Sequence, residues 1–208
     1  MLATATNEWT GTGADAFFAG NAFYVEERRS RLRSRNEFGI WDGSGQRLGS
    51  LVQRVSLAGH FLRIFLKSSV LPFRFQVTDR QGRPVAAIRR GWTLLVSRTE
   101  VIDSRNEVIG FLKHKYRSRK PRLKVFNAEG KKIGEVTGSQ SSWDMAIIDR
   151  DYHSFGSIRE FDPKTTPGDT RGKNTYYIEL SRESMSPEER RVMLVTAIAI
   201  DRLILENG

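Results

Sequence analysis

Seven of the twelve residues from Lys113 to Lys124 are cationic: Lys113, Lys115, Arg117, Arg119, Lys120, Arg122 and Lys124. Cations at that density attract phosphate oxygens, on a lipid headgroup or along a nucleic acid backbone. A solvated loop has the same composition, since a charge run in water needs no ligand. A second group has helical spacing. Leu57, Phe61, Ile64 and Phe65 recur on one stripe between residues 57 and 68, while His60, Arg63 and Lys67 fall on the opposite stripe. Such a helix either packs its apolar stripe on a β core or lies on an anionic membrane surface. Arg31, Arg33 and Arg35 alternate, so as part of a strand they share one outward face.

Catalytic chemistry has little to work with. The chain has no cysteine, which excludes disulfides, thiolate metal sites, cysteine nucleophiles and S-acylation together. Asp149, Asp151 and His153 are spaced by two, as metal ligands on one strand face would be, yet they fall where a turn is expected and Asp is common there. Gly11-Thr-Gly13 and Gly43-Ser-Gly45 look like fragments of phosphate loops, but neither leads from a strand into a helix. Asp201 is a carboxylate on an otherwise apolar helix, explained by a bond to an arginine or to backbone. No catalytic residue, cofactor or metal site is assigned. Lys and Arg exceed Asp and Glu by a formal net charge of +10, with 38% hydrophobic and 28% charged residues. That composition fits a soluble globular domain with an anionic partner. The first fifteen residues carry Glu8 and Asp15 and no apolar run, so a cytoplasmic location is expected.

What positions these residues is a repeated hairpin. An alternating apolar run, Asp or Asn, two polar residues, Gly or Asn, and a second run recur at Asp42 to Gly45, Asp79 to Gly82, Asp103 to Asn106 and Asn127 to Gly130. In this pattern the Asp or Asn side chain bonds the turn backbone, and the following Gly accepts the positive φ that closes the hairpin through a bulge. A degenerate fifth copy spans Met145 to Ile158. One long meander results, and closing into a barrel removes its edge strands. The chain ends in a helix announced by Ser186-Pro187-Glu188-Glu189, an N-cap, a proline at the first helical position and a capping-box glutamate. From Val192 to Leu205 its apolar side chains point in every direction. The uncharged run Val192 to Ile200 is far shorter than the roughly 20 residues that cross a hydrocarbon core. The helix is therefore expected to be wrapped in protein, inside the barrel. We expect a flexible arm over residues 1–16 and a single barrel domain over 17–208.

Residues from Phe23 to Gly208 resemble the phospholipid scramblase-related proteins, of the Tubby-like barrel group that also holds the LURP-one-related proteins. The resemblance rests on Tyr24-Val25-Glu26 before Phe38-Gly39-Ile40-Trp41-Asp42, on Pro72-Phe73-Arg74-Phe75, and on Arg89-Arg-Gly-Trp-Thr-Leu-Leu-Val-Ser-Arg98. Its most specific part is Asn174-Thr-Tyr-Tyr-Ile-Glu-Leu180 followed by Pro187-Glu-Glu-Arg190 and a helix closing on Ile200-Asp201. It implies a mainly β fold, a closed antiparallel barrel of about twelve strands around a buried C-terminal helix. It also implies a calcium loop before that helix. Here the loop reads Asp169-Thr-Arg171-Gly-Lys173-Asn174, and a calcium site wants about six to eight oxygens with net negative charge, so no calcium is expected. The functional expectation is peripheral binding of anionic phospholipid, on the inner face of the plasma membrane, through Lys113, Lys115, Arg117, Arg119, Lys120 and Arg122 with His60, Arg63 and Lys67. The alternatives are a small-ligand or protein-interaction barrel of the LURP-one kind, and a nucleic-acid binder.

Overall fold

In a computed structural model of the chain, residues 12–28, 37–53, 72–91, 98–114, 122–139, 144–160, 175–181 and 185–205 are described. A short helix α1 (Thr12–Phe17) precedes β1 (Ala22–Arg28), β2 (Glu37–Asp42), β3 (Arg47–Gln53), β4 (Phe73–Asp79), β5 (Pro84–Arg90) and β6 (Arg98–Asp103). There follow β7 (Val108–His114), β8 (Arg122–Asn127), β9 (Lys132–Ser139), β10 (Asp144–Ile148), β11 (Ser154–Glu160), β12 (Thr175–Leu180), α2 (Pro187–Ile198) and α3 (Ile200–Leu205). Every strand is antiparallel to its sequence neighbours, and β1 pairs with β12 as well as with β2, so the sheet closes into a twelve-stranded barrel. The fold expected from the sequence is the fold found.

The repeated hairpin has one geometry in five copies. Asp42, Asp79, Asp103, Asn127 and Asp149 each open a turn, and each side chain accepts backbone N–H bonds within it; Asp103 Oδ1, for instance, takes those of Arg105 at 2.8 Å and Glu107 at 2.9 Å. The left-handed position falls to Gly45, Gly82, Asn106, Gly130 and Tyr152, all with positive φ. In each hairpin the register then shifts by one residue. The extra residues are Leu48, Val85, Ile109, Ile133 and Phe155, all apolar and all packed on the core. Because hairpins alternate with connections around the barrel, the five tight turns share one end, and the six connections 29–36, 54–72, 91–97, 115–121, 140–143 and 161–174 leave from the other.

The axis of the barrel is filled by the last helix. It enters at the turn end behind a capping box: Glu189 donates its backbone N–H to Ser186 Oγ at 3.2 Å, and Ser186 donates its own to Glu189 Oε2 at 3.1 Å. Residues Val192 to Ala199 are all 0% exposed, as the absence of a polar face requires. The wall comes close enough that a Cβ on Gly110 would lie 2.6 Å from the Phe126 carbonyl and 2.8 Å from Val192. Buried Arg190 ties this end together, donating to the carbonyls of Gly20, Leu180 and Ser181 and to Asn21 Oδ1. Two expectations change in detail. The last helix, expected to run unbroken through Leu205, is interrupted at Ala199, beside the Ile198 carbonyl that accepts the Tyr176 hydroxyl bond, since a side chain inserted at a helical carbonyl kinks a helix. The expected boundary at residue 17 falls inside α1, whose Ala14 and Phe17 are buried in the core at the turn end.

Candidate functional site

Sorting the charges by barrel end separates two surfaces. The six connections carry fourteen Lys and Arg against two Asp. The five turns, each taken as its Asp or Asn and the next five residues, carry seven cations and seven anions. The connection end therefore holds the net charge of the protein. Of the residues singled out in the sequence, Lys113 lies near the end of β7 and Arg122 begins β8, both at this mouth. Lys115, Arg117, Arg119 and Lys120 join them across the connection and lie outside the described residues, as do His60, Arg63 and Lys67 with their expected helix, Arg31, Arg33 and Arg35, and the loop 169–174. Their flanking strands all end at the same mouth.

On the outer wall, strand pairing adds Arg98, which spacing did not reveal, and places Lys124 of the charge run beside Lys113. Arg98 sits opposite Lys113 across β6 and β7, and Lys113 sits opposite Lys124 across β7 and β8. The adjacent Leu112 and Val125 are buried inside, so the three cations form one outward row. Like charges directly opposed across strands repel by about 0.2–1 kcal/mol a pair. No carboxylate among the described residues pairs with any of the three. The next residue in the row, Glu135, is taken by Lys132 at 3.1 Å and Arg122 at 3.7 Å. What holds the row in place is aromatic. The rings of Phe111 and Phe126 stack at 5.0 Å and 8°; the Arg98 guanidinium lies 3.9 Å from the Phe111 centroid, and Lys113 Nζ lies 5.1 Å from that of Phe126. Such contacts return about 0.5–1 kcal/mol each at exposed sites. The signal for Arg98 was present in the sequence, because the Asp103 turn plus one bulge fixes what faces Lys113. Lys124 needed the register across a seven-residue connection, which no turn rule supplies.

Inside the same mouth, Arg202 bonds Glu27 at 3.1 Å, lies 3.6 Å from Asp201 and stacks on Phe38 at 4.6 Å. The arginine expected for Asp201 is thus its own neighbour in sequence. Burial raises the Asp201 carboxyl above its ordinary range, Arg202 opposes the rise, and Glu27 adds to it. Tyr176 is fully enclosed, and burial holds its hydroxyl neutral, well above its ordinary range. These groups tie the helix to β1 and offer no open position to a substrate. At the other end, Asp149 opens a turn as expected. Burial pushes its carboxyl up, but the N–H groups of His153 and Asp151 together with the His153 side chain outweigh that push and hold it below the ordinary range. No group of three or more His, Asp or Glu among the described residues could hold a metal ion, and no helix among them is long and apolar enough to cross a membrane.

Comparison with known proteins bears on this arrangement in three ways. A family model described as Scramblase matches residues 32–207. An X-ray structure of an Arabidopsis thaliana protein superposes with a TM-score of 0.52 at 15% identity, covering 91% of this chain and 96% of that one. At that identity the likeness speaks for the barrel alone. The search of curated proteins gives no match.

Proposed function

The chain belongs to the Scramblase family, and from that membership we propose that it binds anionic phospholipid membranes peripherally, on their cytoplasmic face, with the connection end of the barrel toward the bilayer. The observation that carries this reading is the charge separation, fourteen cations against two anions leaving one mouth and seven against seven at the other. Each Lys or Arg near an anionic surface contributes about 1 kcal/mol, so five engaged together give about 5 kcal/mol, enough for reversible association. The repulsive row Arg98–Lys113–Lys124 supports the same reading, because an anion between the cations turns its mutual repulsion into attraction. The role is binding without catalysis. Calcium has no part in it: Arg171 and Lys173 flank Asp169, and that donor set does not suit a cation. Millimolar calcium leaves binding unchanged.

Sedimentation with phosphatidylserine vesicles tests the proposal. The protein pellets at low salt, is released toward 1 M salt as the Debye length shrinks from about 10 Å to about 3 Å, and ignores phosphatidylcholine vesicles. Replacing Lys113, Lys115, Arg117, Arg119 and Lys120 together by Ala abolishes pelleting. Lys113→Glu is sharper. It gives Arg98 and Lys124 an opposite charge, so the variant is more stable than the parent and binds vesicles less. Equal pelleting of parent and variants excludes this surface. Preference for duplex DNA over vesicles in competition at one ionic strength replaces the lipid by nucleic acid.

A further inference from the structure

The turn end contains a residue that the fold does not explain. Four of the five turns place Gly45, Gly82, Asn106 or Gly130 at the left-handed position, with φ of 84°, 78°, 66° and 87°, and the fifth places Tyr152 there at 67°. Glycine reaches this region freely and asparagine tolerates it, whereas a bulky aromatic is strained. The strain is not offset by packing. Tyr152 is 69% exposed, and the cation over its ring is Lys132, with Nζ 5.5 Å from the centroid.

Beside this hairpin, between it and the β8–β9 turn, lies a cavity of about 180 Å³. Its apolar lining is Ile133, Phe155 and Met185, two of them the extra residues of their hairpins. Its polar lining includes carboxylates that are already engaged. Asp149 Oδ1 accepts the N–H groups of Asp151 and His153, and Glu189 Oε2 accepts that of Ser186. Lys131 lines the cavity too, and no carboxylate among the described residues pairs with it. Phe155 also borders a second hollow of about 470 Å³ along β11 and β12.

We propose that this hairpin end is a docking site for a segment of a partner protein that presents an apolar side chain next to a carboxylate. The apolar side chain sits on Ile133, Phe155 and Met185, the carboxylate meets Lys131, and the Tyr152 ring covers the segment. Asp149, Asp151 and Glu189 share the lining with Lys131, Lys132 and Arg150, and that balance of charge suits a segment with a single carboxylate better than a polyanion such as nucleic acid or an anionic lipid surface. Tyrosine is enriched among the residues that dominate protein interfaces, because it offers a large rigid face with a polar tip. The site lies at the barrel end opposite the cationic mouth, and its argument does not depend on the membrane reading.

The test titrates isotope-labelled full-length protein with acetyl-Leu-Asp-amide, and with acetyl-Leu-Lys-amide as control, followed by amide chemical shifts. Saturable shifts confined to residues 131–133 and 150–156 are expected with the aspartyl peptide, and at least about tenfold weaker binding with the lysyl one. Lys131→Glu removes the preference. Tyr152→Gly weakens binding by about tenfold or more while raising the melting temperature, since it restores the residue the turn prefers. Absence of saturable shifts, equal binding of both peptides, or unchanged binding by Tyr152→Gly overturns the proposal. A Tyr152→Gly protein that melts below the parent overturns it as well, because the tyrosine would then serve the fold.

Discussion

The two ends of the barrel are built by opposite rules. At the turn end every connection is short, each carries the same Asp or Asn bonding its own backbone, and charges balance at seven against seven. Phe17, Phe18 and the five extra apolar residues pack there, and Arg190 gathers three carbonyls from two separate segments. At the connection end five of the six linking segments are longer, 140–143 being as short as a turn, and the cations outnumber the anions fourteen to two. Stability is concentrated where sequence repeats, and net charge where it does not. A closed barrel permits this division because its wall is complete without help from one end, which leaves that end free to collect residues that repel one another.

Perturbations that strike the two ends unequally test the division. The largest effect belongs to the helix that joins them. Ending the chain after Ser186 removes Val192, Met193, Leu194, Val195, Ile198, Ile200 and Leu203, all essentially buried. Each contributes about 1.5–3 kcal/mol against a typical net stability of about 5–15 kcal/mol. The truncated chain gives no cooperative melt by circular dichroism. Next is the turn end itself. Phe17→Ala costs about 3–5 kcal/mol, a drop in Tm of roughly 6–20 °C for a chain of this size. If it melted like the parent, α1 would not be part of the core.

A single turn weighs less. Asp103 has a side chain only 2% exposed, and Asp103→Ala leaves two N–H groups unpaired at a cost of about 1–3 kcal/mol, read from urea midpoints. The same change at the more exposed Asp149 costs less. The smallest effect is a gain at the connection end. Burial raises the Asp201 carboxyl, with Arg202 opposing and Glu27 adding, so the folded protein holds that proton more tightly than the unfolded chain. Its contribution is fully present below the ordinary carboxyl range and is lost as pH rises through the raised value. Asp201→Asn therefore melts above the parent at neutral pH, and the gap narrows as pH falls. A variant that melted lower at both pH values would make the Arg202 contact the dominant one.

Most of this architecture was legible in the sequence, and what was not follows a pattern. The hairpins could be read because Asp42 and Gly45, or Asn127 and Gly130, fix a turn within four residues. The buried helix could be read because the apolar side chains between Val192 and Ile200 leave no face for water. Lys113 and Arg122 were found by local charge density. Lys124 belongs to the same run, but its place opposite Lys113, and Arg98 altogether, were not legible because they are properties of pairing between strands. Tyr152 escaped notice because its position follows the rule that Gly usually fills, and only its φ and exposure show the exception. The break at Ala199 lies beside the Ile198 carbonyl held by the hydroxyl of Tyr176, twenty-two residues before Ile198.

The seam between β1 and β12 sets a timetable. Tyr24 pairs with Tyr177, so about 150 residues must be made after the first strand before its outer edge finds a partner, about 8–30 s at the roughly 5–20 residues per second of synthesis. During that wait the chain is an open curl with two bare edges, and its axis is empty until the helix follows. Glu26 and Glu27 near the end of β1 put charge on one of those edges, a placement that discourages pairing with a neighbouring chain. Assembly is thus completed from the far end, and the strand that waits longest carries its own guard.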